Sequence, residues 1–420
     1  MQGLGLAVTG RFPALASRDF VLFLVGQFIS VIGTWMQNTA QPYLAYRISG
    51  RPLDLGLIGF AATLPTLLLA LPAGVLVERW DKRKTVIIFQ SIMSLQAFGL
   101  AALTFTGQIQ IWHIGLLALI FGIASAVEIT ARQAMLIELA GREALPSAIA
   151  LQSTAFNVGR VIGPLTASGL LTSTGTEGSV FLANGVSFLF VIAGLVIAQT
   201  RYKVPREATV TKSLGLEFRE GLGYIRRNTL VAAIILMSAS IGFFGFPLVQ
   251  QIPALARDVL RTASDTEAIV AGRTSLLYAA QGAGALTAAL LAAYLNSYQN
   301  KGLMVTLGQV AFIFPLIALG YVPDLNVSLV LLVFMGWGTV IQLVSINTLI
   351  QVSVPNGLRG RVFSVYLWAL QGVAPFGSLL IGWIAQNWGV PVAALTGGLV
   401  SLITIGGLHL ASPAVRRAQA

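Results

Sequence analysis

The sequence contains no cysteine, only two histidines and few charged residues, and each shortage excludes a class of protein. Without cysteine the chain can form no disulfide, thiolate metal site or cysteine nucleophile. His113 and His409 are too few for a typical histidine metal cluster, so we expect no metal and no cofactor. No Gly-x-x-x-x-Gly-Lys-Ser/Thr loop is present, which argues against ATP-driven pumping by this chain. The sequence therefore gives no indication of an enzyme.

Hydrophobic residues make up 56% of the 420 residues, and charged residues make up only 10%. A soluble domain carries roughly 25% charged residues. Apolar runs of about 18 residues or more, each long enough to cross a bilayer, recur along the whole length. They predict an all-α integral membrane protein with twelve transmembrane helices. The predicted spans 1 to 12 cover residues 20–46, 55–77, 85–106, 111–136, 148–171, 179–199, 229–256, 274–295, 302–321, 328–352, 361–385 and 391–411.

The net charge of +11 is distributed as membrane topology requires, so it gives no reason to expect nucleic-acid binding. Of the 26 Lys and Arg residues, 20 fall on the side of the membrane that holds both termini, and five fall on the other side. Arg160 lies within a span. The positive-inside rule then places both termini in the cytoplasm.

A long hydrophilic stretch between spans 6 and 7 divides the chain into two halves. We predict an N-terminal six-helix bundle over residues 1–200, a cytoplasmic linker over 201–228 and a C-terminal six-helix bundle over 229–420. Leu214, Phe218, Leu222 and Ile225 recur at helical spacing in the linker. This pattern predicts an amphipathic helix on the cytoplasmic membrane surface, with a solvated linker as the alternative.

Short motifs recur at matching places in the two halves. Gly159-x-x-x-Gly163-Pro164 in span 5 is echoed by Gly372-x-x-Pro375-x-Gly377 in span 11, and Pro42 in span 1 matches Pro253 in span 7. Repeats of this kind predict two pseudo-symmetric bundles with a site near the membrane midplane.

Several sequence fragments carry a resemblance to a known family. The charged loop Gly74-Val-Leu-Val-Glu78-Arg79-Trp-Asp81-Lys82-Arg83-Lys84 resembles the loop between helices 2 and 3 of major facilitator superfamily transporters. Gly33-Thr34-Trp35-Met36-Gln37 and Leu358-Arg359-Gly360-Arg361-Val362 resemble the transmembrane secretion effector branch, which includes enterobactin exporter-like and macrolide efflux-like proteins. The resemblance implies the major facilitator fold and proton-driven export of a small molecule.

In relatives the charged loop closes the cytoplasmic side, and the resemblance implies the same gating role here. Gly74 would permit close helix approach, and Glu78 or Asp81 would face the start of span 11 near Gly360. Arg79 or Arg83 would pair with Glu138 at the inner end of span 4. The alternative is a loop that only fixes the topology.

Charges inside the spans are the sharpest candidates for proton coupling, because an unpaired charge is costly in hydrocarbon. Glu128 in span 4 is the deepest carboxylate of the sequence, and we expect it to carry the proton. Its partner would be Arg160 in span 5 or Arg132, one turn along the same helix. The alternative is a structural ion pair without a coupling role.

Uncharged amides and one tryptophan are the candidates for lining the substrate cavity. They are Gln37, Asn38 and Gln41 in span 1, Gln250 and Gln251 in span 7, Gln281 in span 8, Gln342 and Asn347 in span 10, and Trp368 and Gln371 in span 11. Amides beside aromatic rings suit an amphipathic organic substrate better than a compact ion. For each residue the alternative is a helix-to-helix hydrogen bond or a lipid contact.

The sequence therefore predicts a secondary active transporter that exports a small amphipathic molecule, such as a drug, siderophore or metabolite, in exchange for protons. An uncoupled facilitator or importer is one alternative, and a lysolipid or lipid flippase of the same fold is another. We expect a monomer in the bacterial cytoplasmic membrane. Its expected partners are the small-molecule substrate, protons and the lipid bilayer, with no nucleic acid.

Overall fold

The computed structural model describes residues 12–198, 214–295 and 298–419, and within these ranges the chain is helical with no strand. Six long helices precede the linker. They are α1 (Arg18–Ser49), α2 (Pro52–Arg79), α3 (Lys82–Phe105), α4 (Ile111–Ala140), α5 (Leu145–Thr174) and α6 (Glu177–Ile197).

The linker contributes one helix, and six further long helices follow it. They are α7 (Leu214–Arg227), α8 (Thr229–Gln250), α9 (Glu267–Tyr294), α10 (Lys301–Ala318), α11 (Leu325–Ser353), α12 (Asn356–Trp388) and α13 (Val390–Ala411). The short helix α14 (Ala414–Arg417) follows α13.

Eleven of the described helices are long and apolar enough to cross a membrane. The remaining long helix, α5, has 30 residues but is less apolar because Ser, Thr, Asn and Arg interrupt it. A helix of about 20 residues already spans the hydrocarbon core, so α5 has ample length. The prediction of an all-α protein with twelve membrane-length helices is confirmed.

Two of these helices are interrupted. Within α8, residues Ile241–Gly245 are π-helical, and a second π-helical turn, Leu255–Val259, follows the helix. Pro247 has no N–H to donate to the carbonyl of Phe243, so the regular bonding pattern breaks there. In α12 a turn separates Gln371 from Ala374. The continuous helix predicted over residues 229–256 is therefore broken.

The chain divides into two compact units. Unit 1 takes Met1–Gln41 and Leu68–Val210, and unit 2 takes Pro42–Leu67 and Thr211–Ala420. The last residues of α1 and the first part of α2 thus group with unit 2.

In unit 1, glycines let α1 approach its neighbours closely. A Cβ on Gly163 of α5 would overlap Trp35 of α1, and a Cβ on Gly26 of α1 would lie 2.6 Å from the carbonyl oxygen of Phe190 in α6. Only glycine permits such backbone approach. The Gly159-x-x-x-Gly163 motif thus packs α5 against α1.

In unit 2, glycines have the same function between other helices. A Cβ on Gly377 of α12 would overlap the carbonyl oxygen of Phe243 in α8, and one on Gly284 of α9 would overlap the carbonyl oxygen of Val333 in α11. The carbonyl to which Pro247 cannot donate is therefore the one against which α12 packs at Gly377.

The linker helix α7 packs on α12. Phe218 lies edge to face with Trp368, their ring centroids 5.7 Å apart, and Glu220 forms an ion pair with Arg361. Ile225 on the same side of α7 is buried. The face that the sequence predicts to lie on the membrane surface thus contacts protein, because Trp368 offers a large apolar partner. The exposed face carries Arg219, Arg226 and Arg227.

The orientation of these helices stays a prediction, and single cysteines in this cysteine-free chain test it. We expect Ser264→Cys, in the exposed turn before α9, to react with a membrane-impermeant maleimide added to intact cells. Gln299→Cys, in the exposed turn before α10, should react only after permeabilisation. The reverse labelling pattern would contradict the orientation.

Candidate functional site

Glu128 lies in a buried polar centre of unit 1. The residue is 3% exposed, and the Nε of Arg132, one turn along α4, donates to both of its carboxylate oxygens at 3.0 and 3.3 Å. The amide of Gln90 in α3 donates to Glu128 Oε1 at 2.9 Å. A buried carboxylate needs such partners, since an unpaired charge is strongly destabilising. Of the two cations that the sequence offered, Arg132 forms the ion pair.

Arg160 lies in an aromatic environment on α5. Its guanidinium carbon is 5.4 Å from the ring centroid of Trp35 in α1, a cation–π distance. Trp35 also contacts Phe156 edge to face, with a centroid separation of 5.5 Å. Arg160, the other cation proposed as a partner of Glu128, therefore lies over the ring of Trp35.

Gln37 is the centre of an amide network inside unit 1. Its Nε2 donates to Gln41 at 3.0 Å and to Gln96 of α3 at 3.2 Å, while its Oε1 accepts from Asn184 of α6 at 2.7 Å. Because these bonds join three helices and Gln37 is buried, its amide serves helix packing in this conformation. Asn38, the next residue, is exposed.

The charged loop between α2 and α3 has a different pairing from the predicted one. Lys82 binds Glu138 with an N–O distance of 2.6 Å, whereas Arg83 donates to the carbonyl oxygen of Val196 at 3.0 Å. The prediction that Arg79 or Arg83 pairs with Glu138 is corrected to Lys82, the first residue of α3.

Asp81 caps α3 by accepting the backbone N–H of Lys84 at 2.9 Å. Gly74 has open space where a Cβ would stand, Arg79 is exposed, and the side chain of Glu78 lies outside the described part of the structure. A gating role of this loop stays a prediction.

Unit 2 contains a cavity of about 230 Å³. Its lining is uncharged and combines hydroxyl, amide and apolar side chains: Thr63, Thr66, Phe246, Gln250, Gln371, Ala374 and Ser378. A volume below about 300 Å³ is smaller than a typical ligand pocket, so this cavity suits one part of a larger molecule.

Gln250 is positioned by a glycine of α2. A Cβ on Gly59 would overlap the side-chain amide of Gln250, so only glycine at this position leaves room for that amide. Gln371 reaches the same cavity from the point where α12 is interrupted. Two of the predicted cavity residues of unit 2 therefore meet at one opening.

The other predicted cavity residues of unit 2 lie elsewhere. Gln251 is 1% exposed and donates to the carbonyl oxygen of Pro52 at 3.2 Å. Gln281 and Gln342 are buried, and Asn347 accepts from Gln351 at 2.6 Å on its own helix. Trp368 packs on Phe218, as described above. Of these side chains, Gln251 and Trp368 contact other helices, whereas the Asn347 bond lies within α11.

Sequence reasoning named Arg132 as a partner of Glu128 but missed its amide partner Gln90 and the hydroxyl groups of the cavity. Thr63 and Thr66 are three residues apart in an otherwise apolar stretch of α2, and this spacing would have placed them on one face. Gln90 likewise interrupts an apolar stretch of α3. For all three residues, the sequence signal that could have identified them was a polar side chain within an otherwise apolar span.

Multi-pass helices, buried charged and amide groups and a neutral cavity are features that a membrane transporter would need. Within the described ranges, no three His, Asp or Glu side chains gather as a metal site.

The chain belongs to the transmembrane secretion effector family of the major facilitator superfamily, whose family model matches residues 9–419. Members of this family are membrane transporters and not enzymes.

Two characterised relatives are similar over nearly their whole length. The chain is 25% identical over 410 residues to the enterobactin exporter EntS of Escherichia coli O1:K1, covering 97% of this chain and 93% of that protein. It is 22% identical over 390 residues to the multidrug efflux pump Tap of Mycolicibacterium fortuitum, covering 91% and 93%.

Solved structures show the same fold. The nucleoside transporter NupG superposes with a TM-score of 0.71 at 13% identity, covering 93% of this chain and 98% of that one. A bacterial homologue of the human lysosomal transporter Spinster, in an inward-facing and occupied conformation, gives 0.70 at 14% identity, covering 96% and 98%. The predicted major facilitator fold is confirmed.

Proposed function

We propose that this protein is a proton-coupled exporter of a small amphipathic organic molecule. The observation that carries the proposal is the uncharged cavity of unit 2, where amides and hydroxyls stand beside Phe246. Neutral donors and acceptors next to an aromatic ring recognise an organic molecule with few charges better than a compact ion. The similarity to proteins named as exporters and efflux pumps supports the outward direction.

In this proposal Glu128 carries the proton. A buried carboxylate that exchanges a cationic partner for a proton can change its charge without leaving the membrane. Arg132 and Gln90 both donate hydrogen bonds to its carboxylate in this conformation. Proton uptake would release Arg132 and alter the packing of α4 on α3. The chain would function as a monomer in the bacterial cytoplasmic membrane, with the charged loop as its cytoplasmic gate.

Transport into inverted proteoliposomes under an imposed pH gradient tests the function. We expect amphipathic dyes, macrolides or siderophores to accumulate against their own gradient, and a protonophore to abolish the accumulation. Downhill flux at a rate that does not depend on the pH gradient would indicate an uncoupled facilitator. Movement of labelled phospholipid without accumulation of the other compounds would indicate a flippase. Either result would overturn the proposed function.

The cavity is tested by substituting the glycine that makes room for Gln250. Gly59→Ala should push the Gln250 amide out of place and raise KM about tenfold with little change in kcat, since a misplaced polar group costs about 1–3 kcal/mol. Gln250→Ala should have a similar effect. Gly115→Ala on α4, where a Cβ meets open space, is the size-matched control. An unchanged KM in both cavity variants would exclude this cavity as the substrate site.

A further inference from the structure

One face of α2 determines which atoms the cavity of unit 2 offers to a bound molecule. Gly56 packs against the carbonyl oxygen of Ser378 in α12, and Gly59 packs against the side-chain amide of Gln250 in α8. Thr63, one turn beyond Gly59 on the same face, lines the cavity. All five residues belong to unit 2. Helix contact through glycine thus gives way to a hydroxyl group where the cavity opens.

Two hydroxyl groups of the lining already use their protons. Thr63 Oγ1 donates to the carbonyl oxygen of Gly59 at 2.7 Å, and Ser378 Oγ donates to the carbonyl oxygen of Ala374 at 3.0 Å. A hydroxyl group has one proton to donate and two lone pairs with which to accept. In this arrangement both hydroxyls can therefore offer a bound molecule only their lone pairs.

The other polar groups of the lining are neutral and can both donate and accept. They are the amides of Gln250 and Gln371 and the hydroxyl of Thr66. No charged side chain is present among the described residues of the lining. An ionised group would lie in this cavity without a counter-charge, which is costly away from water. The cavity therefore favours a neutral group that can donate a proton.

We propose that the cavity selects molecules that carry a neutral hydrogen-bond donor, a hydroxyl or a carboxamide, attached to an apolar ring. The donor gives its proton to Thr63 or Ser378, and its oxygen accepts from one of the amides. The ring lies against Phe246, which also lines the cavity. This inference rests on the proposed function, in which the cavity holds the exported molecule, and it narrows the substrate to compounds with such a group.

The selectivity depends on the two hydroxyls whose protons are already used. An ether oxygen can accept from an amide as a hydroxyl oxygen does, but it has no proton for the lone pairs of Thr63 and Ser378. A bound ether would shut these lone pairs off from water without giving them a partner. A site that loses such a bond rejects the ligand, and we expect binding to weaken about tenfold.

Two probes that differ in this one proton test the proposal. Naphthylmethanol carries an apolar ring and a neutral hydroxyl, and its methyl ether keeps the oxygen but lacks the proton. Binding to the full-length protein in lipid nanodiscs is measured by naphthyl fluorescence, and empty nanodiscs report the partition of each probe into lipid. The parent protein should bind the alcohol about tenfold more tightly than the ether.

Thr63→Val and Ser378→Ala remove the two acceptors. Valine has the shape of threonine, so a steric effect of the ether's methyl group would persist in Thr63→Val, whereas a hydrogen-bonding effect would not. The preference for the alcohol should fall to about threefold in Thr63→Val and to less than about twofold in the double variant. Thr63→Ser keeps the hydroxyl and should retain the preference of the parent protein. Binding of the ether with an unchanged Kd shows that each variant is folded.

Thr287→Val on α9 is the matched control. The hydroxyl of Thr287 donates to the carbonyl oxygens of Ala283 and Gly284 at 3.0 and 2.9 Å, but this residue is exposed and does not line the cavity. The control should leave the preference unchanged. Equal binding of the two probes by the parent protein, no binding of either, or a preference that survives in the double variant would overturn the inference.

Transport separates this inference from the proposed function. Accumulation of dyes, macrolides or siderophores against their gradients, in a protein that does not prefer the alcohol, would refute the donor requirement and leave the proposed exporter intact. A preference for the alcohol in a protein that accumulates no compound would refute the exporter. The cavity would then remain a binding site for molecules with a neutral donor.

Discussion

Glu128→Gln is expected to abolish accumulation of substrate against its gradient, while downhill exchange of substrate continues. The amide has the shape of the protonated acid but cannot titrate, so proton movement and substrate movement separate. Exchange and gradient-driven uptake should be measured on the same proteoliposome preparation. The exchange rate then confirms that the variant is folded and inserted.

The matched control for this variant is Glu143→Gln. Glu143 is an exposed carboxylate just beyond the end of α4. Its replacement by Gln therefore removes the same charge as Glu128→Gln but breaks no buried ion pair. The control should accumulate substrate as the parent protein does. A Glu128→Gln protein that still concentrates substrate at the normal rate and pH dependence would contradict the role of Glu128 as proton carrier.

Arg132→Met is expected to destabilise the protein by about 3–5 kcal/mol, because it leaves the buried Glu128 carboxylate without its cation. The sequence first suggested Arg160 as the cation whose loss would have this effect. The structure transfers the prediction to Arg132, which donates to both carboxylate oxygens. Methionine fills a similar volume, so the packing loss is small. Denaturant unfolding in detergent micelles or lipid measures the change in the free energy of unfolding.

The double variant Arg132→Met/Glu128→Gln should recover most of that loss, since the neutral amide needs no cation. Recovery distinguishes a stranded charge from a general packing defect. If the effects of the two substitutions simply add, the ion pair does not stabilise the buried centre and the assignment is wrong.

Helix positions could be predicted from the sequence to within a few residues where the apolar run has clear ends. Residues 85–106 were predicted and α3 covers Lys82–Phe105, while residues 179–199 were predicted and α6 covers Glu177–Ile197. The start of α9 was placed at 274, whereas the helix begins at Glu267. Polar and charged residues near this start shorten the apolar run, so the sequence places the start of the helix too late. The helix begins directly after Thr266, whose hydroxyl accepts the N–H of Ile269 as a cap.

The site residues were less predictable, because one polar side chain in an apolar helix has the same sequence signal whether it faces a cavity or another helix. Gln250 and Gln371 line the cavity, whereas Gln37 and Gln251 are held in contacts between elements. The difference depends on helix rotation and on glycines in a neighbouring helix, such as Gly59 beside Gln250. Neither is encoded in the local pattern.

The sequence by itself determined the class of protein: a cysteine-free, multi-pass helical membrane protein of the major facilitator superfamily. Long apolar runs reflect the thickness of the bilayer, and the one-sided distribution of Lys and Arg reflects the membrane topology. Both features can therefore be recognised in the sequence alone. Only the tertiary structure decided which groups meet. Arg132 rather than Arg160 pairs with Glu128, and Lys82 rather than Arg83 pairs with Glu138. Along the sequence, several cations lie close enough to each carboxylate to be its partner. Helix packing sets the distances of a few ångströms that decide which of them forms the ion pair.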